Sequence, residues 1–379
     1  SKILPVYTLG TADNATSVST YFDKAFTKAS TVIQRHSIFI KRKEHVRWIP
    51  EAYMLIGKSY FYKQDYKLAD ETFSYVVSQY SDYPIKYSAM LWLARTYSQQ
   101  KKFEKAQSML DLVESKIDKK LVPRYVLRDF PLVYADFQLK QGNNEKATEY
   151  LLSGIDKTKK RLDRARLSFI LAQIYQENGE LFKATALYNK VIKMNPPYEM
   201  SFNSKINKAM CYDATAGDSK EIKKLLNKMA KDIKNKEYLD QIYYALSEIC
   251  MKEKDTTCAL ANYKLSAAKS LTNVNQKATS LLKVARLYFT MPEYELAEAY
   301  YDSTMLVLPK DYPDYEKISV ISQTLKELVI NLKEVELQDS LQNLSKMTPA
   351  ERNKVIDEII TNVIKEEQKK QEEEYNKQQ

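Results

Sequence analysis

One spacing recurs along this chain and constrains its fold more than any other feature. A small residue is followed three positions later by Tyr, and twelve positions after the small residue by Ala. The copy at Ala172 is the clearest, with Tyr175, Ala184, Tyr188 and Pro196 in sequence. Gly57, Tyr60, Ala69 and Phe73 fill the same slots earlier in the chain, as do Ala94, Tyr97, Ala106 and Leu110. Ala285, Tyr288, Ala297, Tyr301 and Pro309 form a later copy. Weaker copies run through Ala135, Ala147 and Leu151, through Ala209 and Tyr212, and through Ser247, Ala259 and Tyr263. The anchors at 57, 94, 135, 172, 209, 247 and 285 are therefore 37, 41, 37, 37, 38 and 38 residues apart, which marks a repeat array.

The spacing predicts antiparallel helix pairs. Small residues at the anchor and twelve later let two helix backbones approach, and the aromatic slots fill the space beside them. Turn formers fall between the paired helices at Gly142, Gly179, Gly217 and Pro292. Pro84, Pro123, Pro196 and Pro309 close the second helices. The fifth copy has Glu221 where a small residue belongs, so loose packing is expected there. The pattern resembles the tetratricopeptide repeat, whose usual period is about 34 residues. Here the period is longer, which implies extended second helices or linkers. The resemblance implies an all-α solenoid of about seven helix pairs, wound as a right-handed superhelix with one concave face.

The expected organisation follows the repeats. Residues 1–14 read as a disordered or extended segment. Residues 15–48 hold an N-terminal helix, running through Tyr21, Phe22, Phe26 and Ile33 to about residue 40, that caps the first repeat. The superhelix occupies 49–313 and capping helices occupy 314–347. Residues 348–379 form an amphipathic and then wholly polar helix. Its start is marked by Thr348 as N-cap, Pro349 at the first position and Glu351 closing a capping box. Val355, Ile356, Ile359, Ile360, Val363 and Ile364 then make an apolar stripe. That stripe is expected to dock on the preceding helix around Leu325 to Leu341 as a cap, or to bind a partner.

Composition excludes several classes. Six glycines in 379 residues leave no room for repeated phosphate-cradling loops or a collagen-like chain. No apolar run reaches the roughly 18 residues of a membrane-spanning helix. Two histidines, His36 and His45, and three cysteines offer no metal-ligand spacing, so neither metal nor cofactor is expected. No nucleophile elbow, metalloprotease helix or nucleotide-binding loop occurs, which argues against an enzyme and a small-molecule substrate. Cys250 and Cys258 leave two readings open: a bridge in an oxidising compartment, or two buried apolar thiols. The opening Ser1-Lys2-Ile3 suggests a mature or shortened chain.

Lys and Arg number 59 against 49 Asp and Glu. Basic runs occur at Arg35–Arg47, at Lys157–Arg166 and at Lys220–Lys234. Acidic residues are interspersed elsewhere and no nucleic-acid-reading motif accompanies them, so nucleic acid is not the expected partner. The stronger candidate is the concave face of the repeats. First-helix side chains not spent on the core are Lys58, Phe61 and Tyr62, then Arg95 and Asp136, then Phe169 and Gln173. Tyr244 and Glu248, and Arg286 and Phe289, continue the series. Charges alternating with exposed aromatics suit a peptide or protein partner.

Two flanking motifs carry a more specific resemblance. The first runs Val32-Ile33-Gln34-Arg35-His36-Ser37, then Lys43-Glu44, then Glu51-Ala52-Tyr53 through Gly57-Lys58-Ser59-Tyr60. The second is Leu344, Met347-Thr348-Pro349-Ala350-Glu351-Arg352-Asn353 and Val355-Ile356-Asp357, followed by a Glu/Lys/Gln run. Together they resemble the PorW/SprE family of tetratricopeptide-repeat lipoproteins of the type IX secretion system, which is also tied to gliding motility. The resemblance implies a non-catalytic periplasmic adaptor at the outer membrane, contacting translocon and motor subunits. It implies membrane association through a lipid anchor that this chain lacks.

Overall fold

The structure is a computed structural model describing residues 3–41, 43–215 and 217–378. It forms an all-α solenoid of helix pairs that divides into two compact units between Asp218 and Ser219.

The N-terminal unit opens with a non-helical segment, residues 3–10, then α1 (Ala12–Ser17) and α2 (Ser19–His36). A two-residue hairpin follows, β1 (Phe39–Ile40) with β2 (Lys43–Glu44), pairing Phe39 with Glu44 and Ile40 with Lys43. The pairs are α3 (Ile49–Tyr62) with α4 (Tyr66–Gln79), α5 (Ile85–Gln99) with α6 (Phe103–Asp118), α7 (Arg124–Lys140) with α8 (Asn144–Lys157), and α9 (Arg161–Glu177) with α10 (Leu181–Lys193). α11 (Tyr198–Met210) packs on α10 and ends the unit.

The C-terminal unit begins with α12 (Lys220–Lys231) and a 3-10 turn, Ile233–Tyr238. Two pairs follow: α13 (Leu239–Lys252) with α14 (Thr256–Lys269), and α15 (Val274–Thr290) with α16 (Tyr294–Met305). Two long helices close the chain, α17 (Tyr315–Lys346) and α18 (Pro349–Gln378).

The repeat spacing explains the packing. Ala69, Ala94, Ala106, Ala135, Ala147, Ala172, Ala184, Ala259, Ala285 and Ala297 are all fully buried where paired helices meet. Gly57 has no substitute at its anchor, because a Cβ there would stand 2.5 Å from the Phe73 ring. Seven residues after the anchors, Gln64, Lys101, Gly142, Gly179 and Lys254 all take positive φ. Only the glycines are at ease there. The following residue is the N-cap of the second helix. Asp65, Asn143 and Asp255 accept the backbone N–H of Leu68, Lys146 and Cys258 through their side chains.

Position 221 is exposed on α12, which buries Leu226 and Met229 and packs on α13 and the 3-10 turn. The chain divides at this repeat.

Three expectations need correction. The N-terminal helix stops at His36 instead of running to about residue 40. Ser37 turns extended, and the buried Glu44 carboxylate accepts the N–H groups of Ile38 and Val46, folding the chain into the hairpin. Within α2, Ala29 packs against Ala52 and Ile56, and Phe22 stacks on Tyr62. The segment 314–347 holds one continuous helix, of which only Ile318, Ser322, Leu325 and Val329 are buried. The stripe on α18 does not dock on α17. Ile356, Ile359, Ile360, Val363 and Ile364 remain 42–53% exposed, and Leu328, Val335, Leu337 and Leu341 of α17 are exposed as well. The junction shows why the helix starts where it does. Thr348 and Glu351 form the capping box, and Arg352 donates to the carbonyls of Leu344 and Met347, which sets α18 going without folding it back.

Candidate functional site: an occupied inner face

Residues 3–10 lie across the first helices of the N-terminal unit as a strap. Its sequence, Ile3-Leu4-Pro5-Val6-Tyr7, suits an extended course, since Pro5 locks its own φ and holds Leu4 out of the helical region. The backbone N–H of Leu4 donates to the Gln173 amide oxygen at 3.0 Å. That of Tyr7 donates to Asp136 at 3.5 Å. Arg166 donates to the Pro5 carbonyl and the Thr8 hydroxyl, both at 2.8 Å, and Gln64 donates to the Gly10 carbonyl at 2.9 Å. The strap therefore runs from the fourth repeat back to the first.

Its side chains are held as firmly as its backbone. Val6 is 6% exposed, among Ala135, Leu167 and Leu171. The Arg95 guanidinium sits 4.0 Å from the Tyr7 ring centroid, 4.1 Å from Trp92 and 5.0 Å from Phe61, a cation wrapped by three aromatic faces. Burial pushes the Tyr7 hydroxyl well above its ordinary pKa, against the pull of Arg95. Burial also lowers the Lys58 ammonium, which stands 5.3 Å from Trp92.

The structure thus brings Lys58, Phe61, Arg95, Asp136 and Gln173 together on one face, but not as an open groove. Arg95, Asp136 and Gln173 are 7%, 3% and 4% exposed, covered by the strap. The expectation of exposed aromatics fails for Phe61 and Phe169, which are buried in the helix-pair cores. Tyr62 stays at the rim. Sequence reasoning missed Leu4, Val6 and Tyr7, whose signal was the short apolar run around Pro5 in a segment otherwise read only as disordered or extended.

In the C-terminal unit the same slots have another fate. Glu248 accepts from the Tyr263 hydroxyl at 2.5 Å and pairs with Lys283 at 2.9 Å. Burial alone would raise its pKa, but these partners hold it below the usual carboxylate range. The Tyr244 ring lies 5.6 Å from that of Tyr263. Arg286 and Phe289 are exposed. Cys250 and Cys258 are paired as a disulfide across the α13–α14 turn, with Cα atoms 5.8 Å apart, so the bridged reading of the two stands.

Comparison with protein-family models agrees with the helix-pair repeats. Models of the tetratricopeptide repeat match residues 51–83, 88–116 and 165–198. The fold and the repeats define a tetratricopeptide-repeat solenoid, a class that works as a protein–protein interaction scaffold. No curated protein matches the chain. Among solved structures it is similar to the C-terminal part of a tetratricopeptide-repeat protein from Cytophaga hutchinsonii, at 16% identity and a TM-score of 0.48 over 70% of this chain and 98% of that one. A tetratricopeptide-repeat protein from Parabacteroides merdae gives 13% identity and a TM-score of 0.48 over 73% and 98%. PilF of Pseudomonas aeruginosa gives 16% and 0.38 over 72% and 96%.

Proposed function

We propose that this protein is a non-catalytic adaptor of the bacterial cell envelope that holds segments of other proteins, in the manner of the PorW/SprE family. The observation that carries this reading is the strap. The inner face of the N-terminal unit holds an extended polypeptide by side-chain bonds to its backbone and by burial of its aliphatic and aromatic side chains. That is a mode of segment recognition.

The two flanking motifs support the secretion-system assignment, in which translocon and motor subunits of the type IX system are the partners. The Cys250–Cys258 bridge supports an oxidising compartment, the periplasm, because cytosolic thiols are kept reduced. Affinity purification from native envelopes with mass spectrometry tests the assignment. Recovery of secretion motor or translocon subunits is expected. Recovery of ribosomal proteins or RNA without them contradicts it.

A further inference from the structure

Beside the strap, the N-terminal unit has a cleft of about 1060 Å³ that nothing described above uses. It opens where α7 and α9 begin, and the Lys157–Lys160 link and strap residues Val6 and Tyr7 complete its walls. Six cations line it, Arg124, Arg128, Lys157, Lys159, Lys160 and Arg166, against two acids, Asp129 and Asp163. Arg128 is committed to Asp129 at 2.6 Å and 3.1 Å, and Arg166 to the strap. Arg124, Lys159 and Lys160 make no ion pair among the described residues. Neither α7 nor α9 has a side-chain N-cap, so the positive ends of two helices add to the field. The aliphatic remainder of the lining is its apolar floor: Leu127, Leu132 and Leu167.

We infer that this cleft takes an acidic segment of a protein partner that also carries aliphatic side chains. Carboxylates meet the uncommitted cations and the helix starts, and the aliphatic side chains cover the floor. A bilayer surface presents its headgroups in a plane and does not reach a concave apolar floor. Single-stranded nucleic acid binds by stacking bases on successive aromatic faces. Here Tyr7 is engaged by Arg95, which leaves Tyr125 as the ring at the cleft. The position is apt for an adaptor, since Arg166 both lines the cleft and donates to the strap.

The inference deepens the adaptor reading and rests on it. The test is fluorescence anisotropy on the full chain with a fluorescein-labelled peptide of four Glu-Glu-Leu repeats. The peptide binds, and binding weakens as salt is raised. Replacing its leucines by serine weakens it several-fold. The K157E/K159E/K160E variant, altered only at exposed positions, keeps its helical circular dichroism and loses at least about tenfold in affinity. K224E/K228E/K231E on α12, an equal charge change elsewhere, leaves binding unchanged. The inference is overturned if the peptide fails to bind, or if the Lys157–Lys160 variant binds it as before. It is equally overturned if a twelve-residue oligothymidylate or phosphatidylglycerol vesicles bind as tightly with the same lysine dependence. Failure here with secretion subunits still recovered from envelopes rejects the cleft and leaves the adaptor reading standing.

Discussion

The position just after the repeat anchor has two fates in this molecule. In the N-terminal unit it holds Arg95, Asp136 and Gln173, three polar side chains buried beneath a strap of the same chain. In the C-terminal unit it holds Glu248, which is satisfied by Tyr263 and Lys283, and Arg286, which faces water. The same register thus builds a surface that binds a segment in one unit and a surface that satisfies itself in the other. Repeat proteins are stable through neighbour contacts between repeats, so inner-face side chains are free to diverge in this way.

The sharpest way to break the contrast is to reverse charge at the two arginines. Arg95→Glu places a carboxylate among Phe61, Trp92 and Tyr7 and should cost roughly 3–5 kcal/mol, the scale of an uncompensated buried charge. Arg286→Glu should stay within about 0.5 kcal/mol, as exposed substitutions do. Thermal melts followed by circular dichroism decide it, and equal losses would show that the two positions are not different environments.

A second pair contrasts the fourth repeat with the fifth. Ala184→Leu adds volume to a closed helix contact and should cost roughly 1–3 kcal/mol. Glu221→Leu, at the equivalent exposed position of α12, should change stability little. Chemical denaturation of the two variants sharpens the contrast between the closed helix contact at Ala184 and the exposed position at Glu221.

The smallest effect concerns acid. Glu248 has its folded-state pKa held low by its partners, so the stability it contributes is present above the ordinary carboxylate pKa. That stability is lost as pH falls through the lowered value. Glu248→Gln should therefore melt below the parent at neutral pH, by about 1 kcal/mol, with the gap closing as pH falls below the ordinary carboxylate range. A gap that never narrows as the carboxylate is titrated in acid would mean the side chain acts by shape and not by charge.

The helix pairs were legible because their cause is local. Backbones that touch need small residues at fixed spacing, and Gly57, Ala172 and Ala184 display it openly. The turns were half legible. Gly142 and Gly179 announce positive φ, whereas Gln64, Lys101 and Lys254 adopt it under the demand of the helix pair, and nothing in their chemistry says so. The inner-face slots were legible as positions but not as an environment. Whether Arg95 meets water or a tyrosine depends on where residue 7 goes, a contact across 88 residues that periodicity does not encode. The α18 stripe misled for the opposite reason. A capping box and an i, i+3, i+4 pattern specify a helix and its apolar side, but not a neighbour to cover it.

The central claim is that the inner face of the N-terminal unit binds a segment through its backbone. Hydrogen exchange at the Leu4 and Tyr7 amides, followed by NMR or fragmentation mass spectrometry on the full chain, tests it most directly. The account predicts slow exchange at both amides. It also predicts faster exchange at Leu4 in Gln173→Ala and at Tyr7 in Asp136→Ala, with the C-terminal unit unchanged. Exchange at both amides in the parent as fast as in a free peptide of residues 1–10 would contradict it.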